Sequence, residues 1–179
     1  MEDLEKDENS AFLDPIALIR WDHERQLEIC TQLEEMLSHT EPALVSRIAR
    51  TALSFLTKDL PRHVEDEEKD LFPMILSRRR SSMEIAAIID QLLSEHDTDK
   101  GLSELVVEDL RAVAAGNPLA QPTRFAANVR AFCETQRRHL TWENKIVLPL
   151  ADDCLDEHDK AALRESIGAR RNQKPRGQA

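Results

Sequence analysis

The chain has 179 residues and a mass of 20.4 kDa, which is the size of one ordinary domain. Apolar residues make up 41% of it and charged residues 32%, so it can bury a core, and its four glycines are too few for an all-β fold with many turns. The formal net charge of −10, from 34 acidic and 24 basic residues, argues against nucleic acid or an anionic membrane surface as a partner.

Apolar residues at helical spacing predict two long helices in the first part of the chain. An aspartate followed by proline, at Asp14, begins the first helix, which covers about residues 15–39. A Glu-Pro pair begins the second helix, which covers about residues 42–77. Pro61 and Pro73 lie inside this second helix, and we expect bends there because proline lacks an N–H and its ring crowds the preceding turn.

Two further long helices and a short one complete the prediction. Ser81 and Glu84 have the spacing of a capping box and begin the third helix, which a Gly-Asn-Pro run at residues 116–118 ends. The fourth helix covers about residues 122–151, and a short fifth helix ends at Gly168. Long helices with short connections predict an all-α fold, an up-down-up-down antiparallel four-helix bundle with a short C-terminal helix.

Composition divides the chain into one predicted domain with two tails. Residues 14–168 form the bundle domain, residues 1–13 are an acidic and flexible N-terminus, and residues 169–179 are a basic, disordered tail. The three cysteines show no C-x-x-C spacing, so we expect neither a disulfide framework nor a zinc ribbon. No apolar run approaches about 20 residues and no signal peptide opens the chain, which favours a cytoplasmic location.

One histidine falls on each of the four long helices, and two of the four are followed by a glutamate four residues later. Residues four apart lie on one face of a helix. A shift of 76 residues along the sequence superposes one His-x3-Glu-x5-Pro segment on the other, and a shift of 73 residues superposes the two isolated histidines. The repeat therefore selects six candidate ligands: His23, His63, Glu67, His96, His139 and Glu143.

Four imidazoles and two carboxylates inside a bundle predict a metal site. This donor set suits iron, manganese or zinc, and six ligands are too many for one tetrahedral zinc ion. They divide between two ions, with Glu67 and Glu143 shared as bridges. Asp66 is a rival ligand, whereas His39 and His158 are expected at the surface. No histidine has a glutamate three residues before it, which excludes the ferritin-like di-iron class.

These segments resemble the hemerythrin-like (HHE cation-binding) family. The resemblance implies a four-helix bundle that encloses a non-haem di-iron centre. Oxygen carriers of this family have a further histidine where this chain has Lys100, and an aspartate where it has Asn144. The set of four histidines and two glutamates is instead similar to relatives linked to nitric oxide response and iron–sulfur repair. The matching stretches are residues 21–24, 63–73, 95–97 and 139–149, within about 15–151.

Three functions stay open at this point. The favoured hypothesis is a non-enzymatic di-iron protein that binds or senses oxygen or nitric oxide, or handles iron, because the sequence shows no separate nucleophile or acid–base pair. The second is a di-iron redox enzyme of the peroxidase, nitric-oxide or iron–sulfur-repair type. The third is a metal-free helical interaction module with an acidic face. The expected cofactor is two iron ions, with manganese or zinc as alternatives, and the expected partner is a small diatomic molecule or peroxide.

Overall fold

The computed structural model describes residues 14–79 and 82–172, and these residues form five helices and no strand. Helix α1 is Pro15–Met36, α3 is Met83–Ala114 and α5 is Glu157–Asn172. Helix α2 joins the α-helical segments Pro42–Ser54, Leu60–Asp66 and Phe72–Arg78 through two π-helical segments, Phe55–Asp59 and Glu67–Leu71. Helix α4 joins Pro122–Trp142 and Leu148–Cys154 through the π-helical segment Glu143–Val147.

The first four helices form the predicted bundle. Each of them packs against the next one in the chain, and α4 returns to pack against α1. Because the connections are short, consecutive helices run in opposite directions, and the all-α up-down-up-down arrangement is confirmed. Helix α5 packs across α1 and the C-terminal part of α2, so it covers only one side of the bundle.

Local sequence signals explain where the helices begin and end. The Asp14 carboxylate accepts a hydrogen bond from the Ile16 N–H at 3.0 Å, as expected for an N-cap. The cap of α3 is Ser82, whose hydroxyl accepts from the Ile85 N–H at 3.3 Å, and not the predicted Ser81, which lies outside the described residues. Gly116 ends α3 with φ of +80°, a conformation that an L side chain rarely adopts.

The three π-helical segments accommodate the internal prolines. Each segment ends two residues before a proline, so that Pro61, Pro73 and Pro149 are each the second residue of the α-helical segment that follows. A proline removes one backbone donor and crowds the carbonyl four residues earlier, and a π turn changes the pairing at that carbonyl. The helices therefore continue past the prolines instead of ending there.

The buried interior has three layers along the bundle axis. One apolar cluster lies at the end formed by the last part of α1, the start of α2, the end of α3 and the start of α4. A second apolar cluster lies at the opposite end and includes two side chains of α5. Buried polar residues of all four bundle helices lie between the two clusters, and this middle layer contains every candidate ligand.

Some predicted boundaries differ from the structure. Helix α1 ends at Met36, not near residue 39, and α4 continues to Cys154. Helix α5 ends at Asn172, so the prediction of a disordered tail is wrong for residues 169–172. Its last turn is held because two arginines there form ion pairs with acidic residues of α1 and α2. Residues 1–13 and 173–179 lie outside the described residues, so the predictions for them stay predictions. None of the described helices is both long and apolar enough to cross a membrane.

Candidate metal centre

All six candidate ligands meet in the middle layer of the bundle. Ligand atoms of His23 and His63, together with both glutamates, lie within 4.8 Å of one another. Ligand atoms of His96 and His139, with the same two glutamates, form a second group within the same limit. Glu67 and Glu143 therefore belong to both groups, which is the sharing that the sequence predicts for bridging carboxylates.

The π-helical segments begin at the two shared glutamates. Glu67 is the first residue of Glu67–Leu71, and Glu143 is the first residue of Glu143–Val147. The Phe72 N–H bonds to the Glu67 carbonyl, five residues back, and the same pattern starts at Glu143. Single π turns inside α-helices often mark functional sites. The proline six residues after each glutamate thus places a widened turn at the point where the carboxylate enters the centre.

The Nε2 atom of every one of the four histidines faces the shared carboxylates. His63 Nε2 lies 3.3 Å from Glu67 Oε2, and His139 Nε2 lies 3.0 Å from Glu143 Oε1. His23 Nε2 lies 3.3 Å from Glu67 Oε1 and 3.4 Å from Glu143 Oε2. His96 Nε2 lies 3.5 Å from Glu67 Oε2 and 3.9 Å from Glu143 Oε1. The four imidazoles and two carboxylates thus converge on one small volume.

The Nδ1 atoms face outward to a second ring of polar side chains. The Nδ1 of His23 lies 2.9 Å from Asn144 Oδ1, and that of His96 lies 2.8 Å from Glu68 Oε1. For His139 the outer group is Glu95 at 3.3 Å, and for His63 it is Asp22 at 3.7 Å. For His23, His96 and His139, an acceptor at Nδ1 places the imidazole proton there and leaves the Nε2 lone pair free for a cation. The 3.7 Å between His63 Nδ1 and Asp22 is an ion-pair distance and not a hydrogen bond.

Buried oxygen atoms without hydrogen bonds show that the centre suits a cation. Glu67 and Glu143 are both 0% exposed, and Glu67 Oε2 and both carboxylate oxygens of Glu143 have no partner in hydrogen-bond geometry among the described residues. A buried carboxylate without such a partner is unfavourable. His96 Nε2 and His139 Nε2 also lie only 3.1 Å apart. A cation between these nitrogens and oxygens would satisfy all of them, so the residues fit a metal site.

The electrostatics of the metal-free cluster follow from the same contacts. Burial opposes ionisation of Glu67, but the nearby His63 and His23 outweigh it and hold the pKa of this carboxyl well below its ordinary value. Burial likewise opposes a charge on His96, but its contacts with Glu67 and Glu143 raise its pKa to about 9. Protons on the imidazoles thus balance the carboxylates, and bound cations would replace those protons.

The structure separates the six candidates from the rival residues. Asp66, adjacent to Glu67, faces away from the centre and pairs with Arg170 and Arg171. His39 and His158 are exposed, as expected.

The outer acceptors were missed by the sequence reasoning. Their register could have revealed them, because Glu68 and Asn144 directly follow the shared glutamates, and Asp22 and Glu95 directly precede the isolated histidines.

A second polar layer lies one helical turn beyond three of the ligands. Gln26, Asp99 and Gln136 are three residues from His23, His96 and His139, displaced in the same direction along the bundle, and all three are buried. Gln136 Nε2 donates to Asp99 Oδ2 at 2.8 Å. Gln26 Nε2 and Gln136 Oε1 have no hydrogen-bond partner among the described residues.

Fold and site together define a helical bundle with a buried cluster able to hold metal. The hemerythrin HHE cation binding domain family matches residues 14–151, most of the chain. The protein therefore belongs to the hemerythrin HHE cation-binding family, and the predicted resemblance is confirmed. A search of curated proteins finds no match to this chain.

Proposed function

We propose that the protein holds two iron ions in this cluster and that the centre binds oxygen or nitric oxide without turnover. The observation that carries the proposal is the pair of overlapping groups, each with two histidines and the same two glutamates. One ion would be held by His23 and His63, the other by His96 and His139. Glu67 and Glu143 would serve both ions, as each lies in both groups.

The chemistry of the donor set supports iron. Mixed imidazole and carboxylate ligands suit iron, manganese and zinc, and the resemblance to hemerythrin-like proteins implies iron. Iron bound there would supply open coordination positions and a change of oxidation state. The chain itself supplies imidazoles oriented by their outer acceptors, and the apolar clusters on both sides of the layer keep bulk water away.

The roles of the surrounding acids favour binding over catalysis. Asp22, Glu68 and Glu95 each lie against the Nδ1 atom of an imidazole, so these carboxylates orient ligands. An acid or base for turnover must reach the reacting atom, and these three lie on the outer side of the imidazoles. This placement of the acids supports a centre that binds a small molecule at the ions without turning it over.

Metal analysis of the purified full-length protein tests the proposal. We expect two iron ions per chain after anaerobic loading with Fe(II), and an optical spectrum that changes when oxygen or nitric oxide is added and recovers when the gas is removed. Stoichiometric binding of manganese or zinc in preference to iron would contradict the choice of metal. A chain that binds less than one metal ion would contradict the centre itself.

The second polar layer favours one alternative, a peroxide-consuming enzyme of the same di-iron type. Hydrogen peroxide both donates and accepts hydrogen bonds, and the unpartnered amide atoms of Gln26 and Gln136 offer one donor and one acceptor. Steady consumption of peroxide by the iron-loaded protein with a reductant would favour this alternative. A single stoichiometric oxidation would favour binding.

A further inference from the structure

The last turn of α5 lies against one side of the metal layer. Leu163 and Ile167, both fully buried in an apolar cluster, fix α5 on α1 and α2. Arg170 and Arg171 follow at its end and meet acidic side chains of both helices. The position of these two arginines is therefore set by apolar packing, not by the ion pairs alone.

Arg171 is connected to a candidate ligand through one carboxylate. Its Nη2 atom pairs with Asp22 and lies 3.2 Å from Asp66 Oδ2. The Asp22 oxygen that meets Arg171 is also the one that lies 3.7 Å from His63 Nδ1. Asp22 is 6% exposed, so its carboxylate needs compensating charge, which Arg171 supplies together with the His63 imidazole. The contacts run in order from Arg171 to Asp22 to His63.

The equivalent carboxylate in the second module, Glu95, has a weaker arginine contact. Glu95 lies against His139 as Asp22 lies against His63, at 3.3 Å from the Nδ1 atom. Among the described residues, the arginine that pairs with Glu95 is Arg138, at 4.0 Å and with a side chain that is 55% exposed. The Arg171 side chain is only 20% exposed. An exposed, loose pair contributes little, whereas a buried pair restricts the carboxylate.

Arg170 has a different role from its neighbour. It pairs with Asp66, Asp70 and Glu65, and within the described part of the chain none of these three forms an ion pair with an imidazole. Loss of Arg170 would therefore weaken the attachment of α5 without releasing the group behind His63. This difference between adjacent arginines allows the helix attachment to be separated from an effect on the ligand.

We propose that Arg171 is a positioning residue of the metal centre, which holds Asp22 against the Nδ1 atom of His63 and thereby tightens one of the two ion positions. The inference rests on the proposed function, since it needs cations at the histidines. Without Arg171, the Asp22 carboxylate would turn toward water, and His63 would lose the negative charge that lies 3.7 Å from its Nδ1 atom. The His96 and His139 position would keep its own acceptors.

Cobalt(II) titration of the metal-free, full-length protein tests this role. The titration is monitored by calorimetry and by the visible spectrum of the bound ion. We expect R171A to weaken one of the two cobalt ions about 10- to 100-fold and to leave the other unchanged, as is typical when an outer partner of a ligand is lost. R171K should recover part of the affinity, because lysine keeps the charge but not the fixed planar geometry of the guanidinium. R170A and R138A are the matched controls and should bind both ions as the wild type does.

A double-mutant cycle separates positioning from general stability. If Arg171 acts through Asp22, then R171A/D22N should weaken cobalt no more than D22N alone. Additive losses, an unchanged affinity in R171A, or an equal loss in R170A would each overturn the inference. A wild-type protein that binds no cobalt, iron or other divalent cation would instead contradict the metal centre, and the inference would fall with it.

Discussion

The two halves of the centre use the same design with different support. The first half comprises His23 on α1 and His63 on α2, and the second comprises His96 on α3 and His139 on α4. In each half, the residue directly after a shared glutamate contacts the isolated histidine of that half. The residue directly before the isolated histidine lies against the second histidine of the same half. The repeat therefore fixes the outer acceptors as well as the ligands.

The halves differ in what lies outside the imidazoles. The first half has a neutral acceptor at Asn144 and is covered by α5. The second half has a carboxylate at Glu68, whose side chain is 37% exposed, and the main contacts of α5 are with α1 and α2. Outer acceptors tune the basicity and orientation of a ligand. Because the two halves have the same ligand types but different surroundings, we expect the two ion positions to differ in affinity. The substitutions below test this expectation.

The largest effect is expected where the halves share a residue. E67Q or E143Q removes a carboxylate that belongs to both groups, so each should weaken both ions by more than about 100-fold, beyond the effect of losing an outer partner. H63Q and H139Q should each lose only one ion of two. The measurement is metal content after loading with Fe(II) and desalting.

A half-exposed neighbour supplies the control for this test. Glu65 lies two residues from both His63 and Glu67 but outside both groups, and E65Q should keep two ions per chain. Retention of one tightly bound ion in E67Q would contradict the sharing of the glutamates.

A smaller effect is expected from exchanging the outer acceptors. N144D gives His23 a carboxylate like the one at His96, and a charged acceptor strengthens the hydrogen bond from Nδ1. We expect the first-half ion to bind several-fold more tightly, by at most about 10-fold. E68Q should weaken the second-half ion by a similar factor. Cobalt titration measures both, and D97N is the control, because Asp97 adjoins His96 but is exposed.

An equal change at both ions in N144D would contradict the assignment of Asn144 to the first half. No change in either variant would mean that the outer carboxylates do not tune the ligands.

The six candidate ligands could be brought together from the sequence because their positions are encoded locally. A histidine and a glutamate four residues apart share a helix face whatever surrounds them, and the repeat then distinguishes Glu67 from the adjacent acids. The helix order and the end of α3 at Gly116 follow from signals of the same kind. These features need no knowledge of the neighbouring helices.

The remaining features depend on contacts between distant segments. Asn144 and His23 are 121 residues apart, and Arg171 and Asp22 are 149 residues apart. In the sequence, Arg171 is one of several basic residues near a chain end, which is typical of a solvated tail. Its partners become visible only when α5 folds back on α1. The sequence predicts bends at Pro61 and Pro73, and the structure has a π-helical segment before each of them, which the prolines alone do not specify.

The smallest expected effect concerns the polar layer, where the halves also differ. Asp99 in the second half occupies the register of Gln26 in the first. Burial raises the pKa of Asp99, and the nearby Thr135, His139 and His96 offset this only in part. Since the folded pKa lies above the unfolded value of 3.8, the folded state binds more protons between the two. The free energy of unfolding therefore falls as the pH rises through that window.

D99N removes the charge but keeps an oxygen that accepts from Gln136, so it copies the neutral layer of the first half. We expect the metal-free D99N variant to match the wild type at pH 7 or to exceed its free energy of unfolding by less than about 1 kcal/mol, and to lose this advantage below pH 4. Urea unfolding at both pH values measures the difference. Q136L is the control, because it leaves Asp99 buried without its donor and should cost about 1–3 kcal/mol. A D99N variant as destabilised as Q136L at pH 7 would show that the buried charge itself stabilises the second half. The second half would then depend on a charge for which the first half has no counterpart at Gln26.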